Sequence, residues 1–307
     1  MTEERAGRGS AVALVAAAVF LSIASPVVFL GVGAALLFLL LPPRAPRALL
    51  VGGAVLALTY LLTSGGDPLA KTSALWAAAC TLCLVAATVV RPAWGFLARS
   101  LAALTVAVVA AAAWFAGRGS WTAFDAAVRA RFREAAALWQ RQVSGAGAAE
   151  WAEQIRASAE GVAALQGEIY PALAVLQTLA LLALAWWIFV RYAADEGWPR
   201  LGAFRELRFS DSLVWVVIVG LTLAMVPAGA AVRRVGFNLL LFMGALYALR
   251  GAAVFAYFVR RGRTPSVLLG LLATLFFPPL PLVASALVGL GDTWLDLRSR
   301  LEPAPPG

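Results

Sequence analysis

Long apolar runs bounded by charged residues recur along the chain, at about 11–25, 27–41, 49–63, 73–90, 94–117, 169–190, 212–231, 236–259 and 266–290. Crossing about 30 Å of hydrocarbon takes around 20 helical residues, so each long run predicts one membrane helix. The fold expected is all-α: a polytopic helical membrane protein of about 8–10 transmembrane segments, with one extramembrane amphipathic helical hairpin. The first two runs are short, and Pro26 falls between them, which predicts a hairpin or a sharply bent pair. The expected organisation is an N-terminal helical membrane bundle over 1–117, an amphipathic insert over 118–168, a C-terminal membrane bundle over 169–291, and an interfacial helix with a disordered tail over 292–307.

The insert differs in its pattern. Trp121, Phe124, Val128, Phe132, Ala135, Trp139 and Val143 step by three or four, the apolar stripe of a helix. After Ser144-Gly145-Ala146-Gly147 a second stripe runs through Trp151, Ile155, Ala159, Val162, Leu165 and Ile169. The first stretch is net basic and the second net acidic, which suits an antiparallel hairpin on the outer side. A pair of helices lying flat at the headgroup level is the other reading. At the C-terminal end, Trp294, Leu297 and Leu301 fall on one face, and Asp292, Asp296 and Arg300 on another, predicting a capped, ion-paired interfacial helix after Gly291.

Composition agrees with the runs: 62% of residues are apolar and 13% charged. The formal charge of +9 resides on cations in the connections, which argues for membrane orientation and against nucleic-acid binding. With nine spans and a cytoplasmic N-terminus, about thirteen short-loop Arg fall inside, Arg44, Arg91, Arg99, Arg191, Arg200 and Arg208 among them, and about five cations outside. The expected location is the bacterial cytoplasmic (inner) membrane, with the side of the C-terminus open because Pro278, Pro279 and Pro281 could split the last run. Ser22-Ile23-Ala24 imitates a signal-peptide cleavage site, but the apolar run that follows favours an uncleaved first helix.

The chemistry on offer is sparse. The chain has no histidine, so Ser-His, Cys-His and His-metal mechanisms are excluded. Cys80 and Cys83 form a C-x-x-C within an apolar run, without the second pair a zinc site needs, and read as packing residues. No nucleotide loop or intramembrane carboxylate pair is present, so no enzyme activity, catalytic residue, metal or cofactor is expected.

Arg250 is the one charge well inside an apolar run, where it demands a partner or a watery cavity. It shares a helical face with Tyr247, Val254 and Tyr257, while Asn238 points nearly the opposite way, toward another helix. Arg250, Tyr247, Asn238 and Tyr257 are the candidate ligand or packing site, Arg250 serving either as a brace between helices or as an anion-binding group. Gly244, Ala248, Gly251 and Ala252 would let a second backbone approach.

The residues Gly236-Phe237-Asn238, Leu246 to Val254, and Gly289-Leu290-Gly291-Asp292-Thr293-Trp294 resemble the YybS-like family of bacterial membrane proteins, a domain of unknown function. That family is distantly similar to the substrate-binding S components of energy-coupling-factor transporters. The resemblance implies a non-catalytic component that holds an unknown small ligand among membrane lipids. It further implies docking on coupling and ATPase subunits through an Ala-x-x-x-Ala surface, here Ala13 and Ala17. The competing expectation is a membrane scaffold or assembly factor that works through the 121–168 hairpin.

Overall fold

In a computed structural model of the chain, residues 26–41, 51–58, 68–144, 152–193, 198–199, 201–259 and 279–297 are described. The helices are α1 (Pro26–Leu37), α2 (Pro68–Val90), α3 (Phe96–Arg118), α4 (Trp121–Ser144), α5 (Ala152–Tyr192), α6 (Val214–Met225), α7 (Ala230–Val259) and α8 (Pro279–Leu295). Short 3-10 turns at Phe38–Leu40, Phe204–Glu206 and Asp211–Leu213 accompany them, residues 51–58 are also helical, and no strand occurs among the described residues. The all-α membrane architecture read from the sequence is borne out. Leu69–Val90, Phe96–Arg118, Arg156–Tyr192 and Ala230–Tyr257 are long and apolar enough to span a bilayer, and Phe29–Leu40, Asp211–Met225 and Pro281–Leu295 are shorter apolar helices. Helices prevail because a chain in lipid must satisfy its own backbone groups. The first apolar run and the docking pair Ala13 and Ala17 lie outside the described residues.

The described chain forms two compact units, one within 11–200 and one within 201–307. The division falls in the charged connection after α5, not at 117 or 168 as the polarity pattern suggested. The boundary expected at 168 lies inside α5, which continues for 41 residues with Pro171 in its interior. Proline there removes only the N–H that would reach the Gly167 carbonyl, and the turns on either side hold the helix together.

In the N-terminal unit, α1, α2, α3 and α5 pack around Leu37, Leu84, Leu104, Leu182, Trp186 and Phe189, all nearly or fully buried. Gly33 of α1 faces Thr81 of α2, whose Oγ1 lies 3.3 Å from where a Cβ would stand. Trp76 Nε1 donates to Thr178 Oγ1 at 2.8 Å, tying α2 to α5. On the opposite side α3 leaves Val106, Val109 and Trp114 exposed, a face suited to lipid tails.

Helix α4 folds back along the first half of α5 as an antiparallel pair. Arg129 Nη1 reaches Glu168 at 2.9 Å, its Nε reaches Asp125 at 2.8 Å, and Gln140 Nε2 donates to the Arg156 carbonyl at 3.2 Å. The hydrogen bonds that Arg129 donates, first to Glu168 and then to Asp125, hold its guanidinium above its ordinary pKa, so its charge persists across the physiological range. Glu168 is half exposed, which limits this pair to about 1 kcal/mol or less. The seam is closed mainly by apolar burial of Val128, Ala159 and Ala163.

In the C-terminal unit α7 packs against α6 and α8. Gly236 lies against the backbone of Gly220 and Ala224, and Gly251 and Gly289 lie against each other's helices, so α7 crosses both neighbours at backbone contact. Ser285 Oγ donates to the Ala248 carbonyl at 2.8 Å within the second crossing. Of the small residues read from the sequence, Ala248 and Gly251 are used at this crossing, whereas Gly244 has no neighbour within 4 Å of a Cβ position. Gly291 and Asp292 continue α8, which ends at Leu295, so no new helix starts at Asp292; residues 298–307 of the expected interfacial helix and tail lie outside the described residues. Asp296 then adopts a left-handed conformation, φ 39°, that ends the helix. Prolines 279 and 281 sit in the first turn of α8, where their missing N–H groups have no helical acceptor to lose.

Candidate functional site

Arg250 lies on the side of α7 that meets α8, and it is buried. Its Nε donates to Asp292 Oδ2 at 3.0 Å and its Nη2 to the Asp292 carbonyl at 3.2 Å. Its Nη1 donates to Asp211 Oδ1 at 3.2 Å and to the Phe209 carbonyl at 3.4 Å. The guanidinium also stands 5.2 Å from the centre of the Phe209 ring. Asp292, itself 1% exposed, accepts the Leu297 N–H at 3.2 Å through Oδ1. Arg208 pairs with Asp296 at 2.9 Å beside this network. One cation thus fastens α7 to α8 and to the segment that leads into α6.

The remaining predicted residues divide around that clamp. Tyr247 is buried with Arg250, its ring edge-on to Phe209 at 5.2 Å. Its hydroxyl lies near Thr293 without a hydrogen bond of good geometry among the described residues. Val254 is buried on the same face and Tyr257 half-buried. Asn238 stands apart from the clamp, its Nδ2 donating to the Arg234 carbonyl of its own helix at 2.9 Å. Phe209, Asp211 and Asp292 complete the site; the sequence pattern assigns none of them to Arg250, and it puts Asp292 in a separate interfacial helix. A buried arginine requires a carboxylate, and Asp292 is the acid that ends the last apolar run.

A second buried guanidinium has a different setting. Arg99, in the first turns of α3, is 1% exposed and stands 4.8 Å over the ring of the fully buried Trp186. Its Nε has no hydrogen-bond partner among the described residues, and neither does the hydroxyl of buried Ser100 or the indole N–H of Trp198. Trp198 meets Trp186 edge-on at 6.1 Å, and Trp186 donates its own N–H to the Pro199 carbonyl at 3.2 Å. A desolvated cation–π contact is worth about 2 kcal/mol, against several kcal/mol for burying an unpaired charge. The ring alone does not balance Arg99. The charge count along the sequence had placed Arg99 among loop cations, although it follows Phe96-Leu97-Ala98 into an apolar run.

Cys80 and Cys83 are free thiols on α2, and no group of His, Cys, Asp or Glu among the described residues is arranged to hold a metal ion. A family model described as "Predicted membrane protein (DUF2232)" matches residues 9–293, in agreement with the resemblance carried by the C-terminal motifs. No curated protein and no solved structure matches the chain.

Proposed function

The chain belongs to the DUF2232 family of predicted membrane proteins, and we propose that it serves as a non-catalytic membrane scaffold that presents the α4–α5 hairpin to a partner. The observation that carries this reading is the continuity of α5. Its 41 residues extend about 60 Å, twice the hydrocarbon thickness, so a helix whose apolar half lies in lipid must carry its other half well beyond it. With α4 pinned along that half, the hairpin is joined to the bundle by helix rather than by a flexible linker. It leaves Leu138, Trp139, Val162 and Leu165 exposed, each about half or more.

The ligand-holding reading, with a small hydrophilic molecule at Arg250 and coupling and ATPase subunits as partners, is the weaker of the two. The Arg250 guanidinium is engaged by two carboxylates and two carbonyls of its own unit. A ligand anion would have to displace Asp211, the one partner with an exposed side chain.

Photo-crosslinking from position 139 or 165 in native membranes separates the two. The scaffold reading expects a discrete adduct that disappears when Leu138 and Trp139 are replaced by Gln, while the protein level in the membrane stays the same. Adducts with lipid alone, or an adduct unaffected by those substitutions, would contradict it. Co-purification of ATPase and coupling subunits with a hairpin-deleted chain would favour the ligand-holding reading instead.

A further inference from the structure

We infer that the end of the N-terminal unit where α3 begins and α5 finishes binds the phosphate of an anionic phospholipid headgroup, with Arg99 and Trp198 as donors and Ser100 beside them. This site is separate from the hairpin surface and does not depend on it. Three buried polar groups there have no hydrogen-bond partner among the described residues: Arg99 Nε, Ser100 Oγ and Trp198 Nε1. Two of them are brought together by one ring, since Arg99 lies over Trp186 at 4.8 Å and Trp198 packs on the same indole at 6.1 Å. Guanidinium and indole N–H groups only donate, so their shared complement is an oxyanion. The sequences 68–118 and 169–193 contain no Asp or Glu to supply one, and the acids closest to Trp198 along the chain, Asp195 and Glu196, lie outside the described residues.

The neighbourhood selects lipid as the source. Arg91 stands 5.7 Å over Trp94 just before α3, and Arg191 stands 5.6 Å over Trp187 in the last turn of α5. Paired Trp and Arg side chains at one end of membrane helices mark the headgroup level, where anionic lipids concentrate beside basic residues. Gly95 caps α3 without a side-chain hydrogen bond, leaving the positive end of a 23-residue helix facing the same level.

The test uses the full purified chain in mild detergent, titrated with phosphatidylglycerol or phosphatidylcholine and read by native mass spectrometry. The wild-type protein is expected to hold phosphatidylglycerol about tenfold more tightly, and R99Q to lose that preference. W198F, a milder change, should weaken the preference severalfold even if R99Q folds poorly, and Gly244→Leu, in the other unit and with nothing within 4 Å of its Cβ position, should leave it intact. Equal binding of the two lipids by the wild type, or an unchanged preference in R99Q or W198F, overturns the proposal. So does displacement of phosphatidylglycerol by millimolar inorganic phosphate, which would make the ligand a soluble anion. A preference that emerges only in a D195N/E196Q variant overturns it too, because the chain's own acids would then be the oxyanion.

Discussion

Replacing Arg250 with alanine is expected to destabilise the C-terminal unit by about 3–5 kcal/mol, because it leaves the 1%-exposed Asp292 carboxylate buried without its cation. The reading is the midpoint of thermal unfolding in detergent, together with the amount of folded protein in the membrane. D292N should cost part of that loss, because the guanidinium keeps the exposed Asp211 and the carbonyls of residues 209 and 292 as partners. D211N should cost less than about 1 kcal/mol, since the Asp211 side chain is 65% exposed and its pairing is screened. The double variant R250M/D292L removes both charges and should recover most of the loss. Near-wild-type stability of R250A, or a double variant no better than the singles, would show that the pair does not brace α7 against α8.

Gly251→Leu should have the other large effect. A Cβ at Gly251 would overlap the Ser285 carbonyl and approach the Gly289 backbone, and a Cβ at Gly289 would overlap the Tyr247 carbonyl. These obstacles are main chain, not movable side-chain tips, so α7 and α8 would have to separate, breaking the Ser285 to Ala248 hydrogen bond and drawing Asp292 from Arg250. A loss of at least about 1–3 kcal/mol, the scale of core overpacking, is expected in unfolding of the detergent-solubilised protein. Gly244→Leu on the same helix should be nearly silent, because nothing lies within 4 Å of that position. Equal effects at 244 and 251 would contradict the crossing.

Sequence periodicity carried the fold further than it carried the sites. Apolar runs gave the membrane helices, and the three- and four-residue steps through Trp121 and Trp139 gave the hairpin. The boundary at 168 falls inside a continuous helix for a physical reason. The switch from a mixed to an apolar pattern there marks where a helix meets lipid, and a helix has no need to end at that surface. Asp292 was read as the cap of a new helix because it follows Gly289-Leu290-Gly291, a local signal for a break. Those two glycines lie on a helix that runs unbroken through Asp292, and Gly289 lies against the α7 backbone. The Arg250–Asp292 partnership joins positions 42 apart, a pairing that only folding brings together. Arg99 was hidden for the converse reason: a cation at the end of an apolar run resembles a loop charge until the neighbouring helix places Trp186 beneath it.

The hairpin can be presented to a partner only if α5 is one helix that leaves the membrane still carrying it. Spin labels at the exposed Glu160 and Arg191, in a background with Cys80 and Cys83 replaced by alanine, test that directly by pulsed dipolar spectroscopy in lipid nanodiscs. Thirty-one residues of continuous helix place the labelled backbone positions about 46 Å apart, and the prediction is a narrow distribution near that value. A broad distribution, or one centred below about 35 Å, would mean that the chain turns near Pro171 and that the hairpin is not built on the membrane helix.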